Sequence, residues 1–240
     1  MKHLRLTVFF IGLFLFVSYG HLNAQEKENG KKLIQLAIGD ATKWENTRYL
    51  LYTVTGPSLI PGFSNERTFL IDKTTGDCRF EGVNKSKENI VILFNYKSKK
   101  LRKHFIGIQE AKDNIDSILE SILQQFFTDT QILFSPALLS DNPSNIRELS
   151  QKIINTDKIT IIDFTGLPTL GNSTVDGRIS LTSKGEIKSI VIDNVEYMTS
   201  VSKDIGGGII LPTIFESQFS YRFQTVAAFT DIETGKFNNL

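Results

Sequence analysis

Residues 67–83, RTFLIDKTTGDCRFEGV, decide how the rest of the chain is read. In the first half, Phe69 and Ile71 recur at every second position, the period of a strand. Thr74-Thr75-Gly76-Asp77 follows as a turn, with Gly76 supplying the positive φ that other residues resist. Residues 78–83 then return as a second strand, so the stretch predicts a β-hairpin.

Working outward, residues 48–55 (RYLLYTVT) are β-rich, and Gly56-Pro57 and Pro61-Gly62 bracket a loop. Residues 33–44 place Leu33, Leu36, Ala37, Ala41 and Trp44 on one helical face, which predicts a short first helix weakened by Gly39. Residues 89–96 (NIVILFNY) are apolar on both faces, so the sheet's second face must be covered there. Residues 97–103 (KSKKLRK) form a basic loop whose default role is a solvated hairpin tip.

The period changes at Ile115, Ile118, Leu119, Ile122, Leu123, Phe126 and Phe127. That spacing predicts an amphipathic helix over 111–127, with Asp113 and Asp116 favoured by the dipole in its first turns. Residues 131–143 are apolar but interrupted by Pro136, and 144–154 read as a second short helix capped by Ser144. Strand signals then fill 159–164, 175–182, 187–193, 195–202, 209–217 and 219–229, with a Gly/Pro loop over 165–173 and a turn at Gly206-Gly207-Gly208. In 175–182, Val175, Gly177, Ile179 and Leu181 share a face. In the last strand Phe219, Tyr221, Phe223, Ala227 and Phe229 do so. The order predicts one α+β domain, a curved antiparallel sheet with helices covering one side.

Lys plus Arg number 27 against 26 Asp plus Glu, which disfavours a nucleic-acid binder relying on a large basic excess. The single Cys excludes an intrachain disulfide and a Cys-built metal cluster. At the N-terminus, Lys2 and Arg5 precede an apolar run from Leu6 to Val17. The run is too short to span a bilayer and reads as a cleaved signal peptide, residues 1–24, with an uncleaved signal anchor as the alternative. No Cys follows it to carry a lipoprotein anchor. Residues 25–240 then form a single domain that is periplasmic or secreted. Losing Lys2 and Arg5 takes the formal charge from +1 to −1, and His104 is the only His left.

A Ser-His-Asp or Cys-His site would have to use His104, and beside a basic run it reads as a surface loop residue. Cys78 reads as a small buried core residue. No metal-ligand or phosphate-loop spacing is present, and Gly206–Gly208 precedes a strand rather than a helix. The expectation is no enzyme and no cofactor.

The hairpin TFLIDKTTGDCRFEG, the following NIVILFNYKSKK, the helical stretch LQQFFTDTQILFSPALLSD and the late IGGGIILPTIFES resemble elements of the lipoprotein-localisation-factor (LolA/LolB-like) superfamily. The composition resembles exported Bacteroidetes proteins. The resemblance implies a half-open β-barrel whose concave, apolar face is roofed by helices and shelters acyl chains or other lipids. It implies a lipid or apolar small molecule as partner, envelope proteins as further partners, no nucleic acid, and at most a peripheral membrane contact. Strand alternation then nominates Leu50, Tyr52, Val54, Phe69, Ile71, Phe80, Ile92 and Phe94 on the sheet and Ile118, Ile122 and Phe126 in the roof. A dry core made of the same residues is the alternative, and Arg48 and Arg67 read first as exposed strand residues, with a headgroup or a carboxylate as the alternative partner. A non-catalytic cell-envelope interaction module with a filled core is the competing function.

Overall fold

A computed structural model of the chain describes residues 28–39, 41–154, 156–171, 173–233 and 235–240. The expected signal peptide lies outside the described residues.

Residues 28–38 form helix α1, and α2 follows at Ala41–Asn46. The single predicted helix is thus two, parted at Gly39, whose φ of +91° belongs to the left-handed region. The break changes the buried face: Ile34, Ala37 and Ile38 point inward, while Leu36 is 60% exposed.

Thirteen strands form one antiparallel sheet among the described residues, in the order β6-β5-β4-β3-β2-β1-β13-β12-β11-β10-β9-β8-β7. The first meander comprises β1 (Tyr49–Thr55), β2 (Phe63–Asp72), β3 (Asp77–Asn84), β4 (Asn89–Asn95), β5 (Lys100–Ile106) and β6 (Gln109–Ala111). The second comprises β7 (Ile146–Ile154), β8 (Asp157–Pro168), β9 (Thr174–Thr182), β10 (Ile187–Ile192), β11 (Val195–Asp204), β12 (Ile210–Glu216) and β13 (Ser220–Phe229). The two are joined where β1 pairs with β13. Helix α3 (Asp116–Asp141) runs from the β6 edge to the β7 edge. Its 26 residues span about 39 Å at 1.5 Å each. That is close to the roughly 43 Å between β4 and β8 at about 4.8 Å per strand. The curved sheet with a helical roof is therefore the observed architecture.

The predicted helix over 144–154 is the edge strand β7, preceded by a single 3-10 turn at Pro143–Asn145. Pairing with the long apolar β8 overrides the weak local pattern, which a bulge between Ile146 and Glu148 already breaks. Helix α3 starts later and runs further than expected, straight through Pro136. Pro136 and its neighbours 132–140 are buried, so packing outweighs the hydrogen bond that the ring removes. Ser121, Thr128, Thr130 and Ser135 each donate to the carbonyl four residues back, a bond that bends a helix.

The basic run is mostly strand β5, with only a tight turn before it. Arg102 pairs with Asp77 at 2.7 Å, and Leu101 packs against the core. The second face of β4 is covered as predicted: Val91 and Leu93 bury with Phe105 in a small cluster on that side. The tail helps to cover this face, since Arg79 donates to the carbonyls of Lys236 and Asn239.

Of the predicted face of the last strand, Tyr221 and Phe223 are buried, while Phe219 precedes β13 and is exposed. A bulge opposite Thr53/Val54 skips Gln224, so Val54 pairs with Phe223 but Tyr52 with Val226 and Leu50 with Ala228. Val226 and Ala228 therefore pack on the core, and Phe229 is 37% exposed on the other face.

Candidate ligand-binding face

Register aligns the inward side chains of the first meander into rows that run across the strands. One row is Ala228, Leu50, Ile71, Cys78, Phe94 and Leu101. The next is Val226, Tyr52, Phe69, Phe80, Ile92 and His104. Directly opposed residues of antiparallel strands share a face, so the rows form a continuous apolar wall.

The structure brings the eleven nominated residues together. Leu50, Tyr52, Val54, Phe69, Ile71, Phe80, Ile92 and Phe94 lie in one core with Ile122 and Phe126, and Ile118 packs against it half-buried. Phe126 is wedged between the sheet's rings, 5.5 Å from Phe69, 6.3 Å from Phe94 and 5.1 Å from Tyr96. Tyr52 meets Phe69 at 5.2 Å, Phe223 at 5.7 Å and Phe134 of α3 at 6.2 Å. Centroid separations in this range are those of favourable tilted and edge contacts.

One row holds a charge. Arg67 lies between Val54 and Gly82, two residues before Phe69, and so faces inward. Its Nε donates to Asp129 Oδ2 at 2.7 Å, and one Nη donates to Oδ1 at 2.6 Å. The remaining Nη donates to the carbonyls of Gly56 and Asn65. Gln125 donates to the same carboxylate at 2.8 Å, and its own carbonyl accepts the Leu59 N–H at 2.6 Å. The network ties α3 to β2 and to the β1–β2 loop. Burial pushes the Asp129 carboxyl up against the pull of Arg67 and Gln125. At Arg67 burial works most strongly against the charge, but the hydrogen bond to Asp129 and that carboxylate's charge together outweigh it and the guanidinium's value rises.

Arg67 is not an exposed strand arginine: it is buried, and the carboxylate it meets is the protein's own. Asp129 escaped the sequence reading. The signal was present, since Gln125 and Asp129 stand four apart beside the apolar stripe of a helix that otherwise seeks a wall of rings. Arg48 sits at the end of the sheet, bonded to Asp72 at 2.9 Å and stacked over Tyr49.

His104 is not on a surface loop. It lies in β5 opposite Ile92 and is buried, because the bulge between Leu93 and Phe94 turns it inward. Cys78 is buried as expected, and burial pushes its thiol well up, which keeps it protonated. Burial likewise pushes the Tyr52 hydroxyl well above its ordinary value.

A groove of about 460 Å³ lies on the opposite face of the second meander, floored by Ile159, Ile161 and Val191 and flanked by Ile154 and Met198.

No protein-family model and no curated protein sequence matches the chain. Among solved structures it is similar to the lipoprotein LppX of Mycobacterium tuberculosis, with a TM-score of 0.31 and 8% identity, covering 85% of this chain and 97% of that one. It is also similar to LprF from Mycobacterium bovis, with a TM-score of 0.32 and 10% identity, covering 86% and 97%.

Proposed function

We propose that this chain is an exported carrier or binding protein for a lipid or another apolar ligand, held between the sheet and α3, and that it catalyses no reaction. One observation carries the reading. Helix α3, tethered to the two outer edges of an open sheet, roofs a wall of aromatic and aliphatic side chains, with α1 and α2 packed on the same core. Such a roof can lift on its two tethers while both meanders keep their strand pairing. Each methylene then taken from water contributes about 0.8 kcal/mol, so affinity needs few polar contacts. The polar lock along this seam is the Arg67–Asp129–Gln125 network, which holds the helix in one register without filling the wall.

The closeness of the packing favours a second reading, a non-catalytic cell-envelope module whose core is filled by its own side chains. Phe69, Phe80, Phe94, Ile122 and Phe126 are all fully buried against one another or their neighbours.

The deciding experiment is native mass spectrometry of residues 25–240, purified from an envelope without detergent, followed by lipid extraction. A photoreactive fatty acid then maps the contact. A stoichiometric lipid adduct with crosslinks to α3 or β1–β4 supports the carrier. A bare polypeptide that no added fatty acid or lysolipid stabilises overturns it, and so do crosslinks confined to the outer groove at Met198.

A further inference from the structure

Two buried polar atoms of the inner wall, Tyr52 Oη and His104 Nε2, have no hydrogen-bond partner among the described residues. They lie on one cross-strand row, separated by Phe69, Phe80 and Ile92, and the residues between them are all apolar. Phe126 covers the middle of that row through Phe69.

Tyr52 is the more telling of the two. It is fully buried in a nest of Phe69, Phe134 and Phe223, where a phenylalanine would pack equally well. Burying a hydroxyl with no acceptor costs stability, so the oxygen is a liability to the closed fold. The nearby polar groups do not relieve it in this structure: Asp129 makes no hydrogen bond with it and already accepts two from Arg67 and one from Gln125, while Arg67 is a donor only. A phenol that stays protonated in this setting offers one hydrogen bond to an acceptor arriving from outside the polypeptide.

We infer that Tyr52 reads an acceptor oxygen on the ligand, so that the preferred ligand is an acyl chain joined through a carbonyl, an ester or an amide, rather than a plain hydrocarbon or ether lipid. This rests on the carrier reading above. The chain lies along the Tyr52–His104 row beneath α3, and its carbonyl lies at the Tyr52 end.

The test pairs two ligands with two proteins. 1-Monopalmitoylglycerol and its 1-O-hexadecyl ether analogue differ at the carbonyl. Each is titrated into residues 25–240 of the wild type and of Tyr52→Phe, with thermal unfolding recorded alongside. The wild type is expected to prefer the ester by about tenfold, the scale of one good neutral hydrogen bond. Tyr52→Phe should bring that ratio close to one while raising the melting temperature. Equal ratios in both proteins would overturn the inference and leave the carrier reading standing. So would an ordered water on the Tyr52 hydroxyl that persists in a crystal of the ester complex. If neither lipid binds the folded wild type, the carrier reading fails and this inference fails with it.

Discussion

The Arg67 guanidinium and the Asp129 carboxylate meet through two hydrogen bonds of 2.7 and 2.6 Å, with side chains 1% and 0% exposed. They come from a strand and a helix that share an otherwise apolar interface. The consequence is asymmetric. Removing one partner strands the other charge in the core, whereas replacing both with apolar groups removes the desolvation cost as well.

Arg67→Met or Asp129→Leu alone is therefore expected to lower stability by roughly 3–5 kcal/mol. The double variant should recover most of that loss. Urea unfolding of the three proteins measures the coupling. A double variant no better than the worse single one would show that the network contributes far more than charge pairing.

Asp72 makes the protein acid-sensitive at the other end of β2. Burial opposes its charge, but the Arg48 guanidinium and the Thr75 and Thr74 N–H groups outweigh burial and hold its pKa below the ordinary 3.8. A depressed carboxyl contributes stability that is present above its unfolded value and is lost as pH falls through the folded one. Asp72→Asn should therefore be less stable at pH 6 and show a flatter decline below pH about 4. Stability measured by denaturant at each pH checks this.

Lys73 acts on the alkaline side. Burial against Trp44 pulls its amine down to about 8, and the Nζ lies 4.2 Å from the indole ring while donating to the Trp44 carbonyl. Between about 8 and the ordinary 10.5 the unfolded chain holds this proton more firmly than the folded one. Stability from this residue therefore rises with pH across that window. Lys73→Met should remove the rise. The comparison is free unfolding energy at pH 8 and 10 in the two proteins, and parallel curves would contradict it.

Gly177 tests the tightness of the second meander. A Cβ there would run into the Val191 carbonyl on β10 and the Phe164 ring on β8. Gly177→Ala is expected to destabilise by about 1–3 kcal/mol, the range for overpacking, with hydrogen exchange faster in β8–β10. Unchanged exchange would mean that the sheet yields at no cost.

The hairpin over 67–83 was legible because its alternation, turn residues and Gly76 all point the same way, and the structure gives Gly76 a φ of +83°. The phase of β1 to β4 followed from it, and so did the list of wall residues. The misread parts failed where tertiary pairing overrides local pattern. β7 carries a helix-like sequence that β8 makes a strand. The bulge at Gln224 flips the last third of β13, and a shift of that kind has no signature in a two-residue period. Pro136 suggested a break that a helix buried throughout 132–140 tolerates. The Arg67–Asp129 pair was hidden, since a lone strand arginine reads as exposed and its partner lies beyond the helix predicted to end at Phe127.

The seam between β1 and β13 gives the chain an order of assembly. Tyr49 pairs with Phe229, so the first strand of the sheet waits for the last one to be made. Each meander can zip locally from its own hairpins, but the join between them is among the longest-range pairings in the molecule and the slowest kind to find. Until it forms, β1 and β13 each present a bare hydrogen-bonding edge, the feature that recruits other chains. Loss of the final strand would therefore leave two half-sheets tethered by a helix, each with a sticky border where the other belongs.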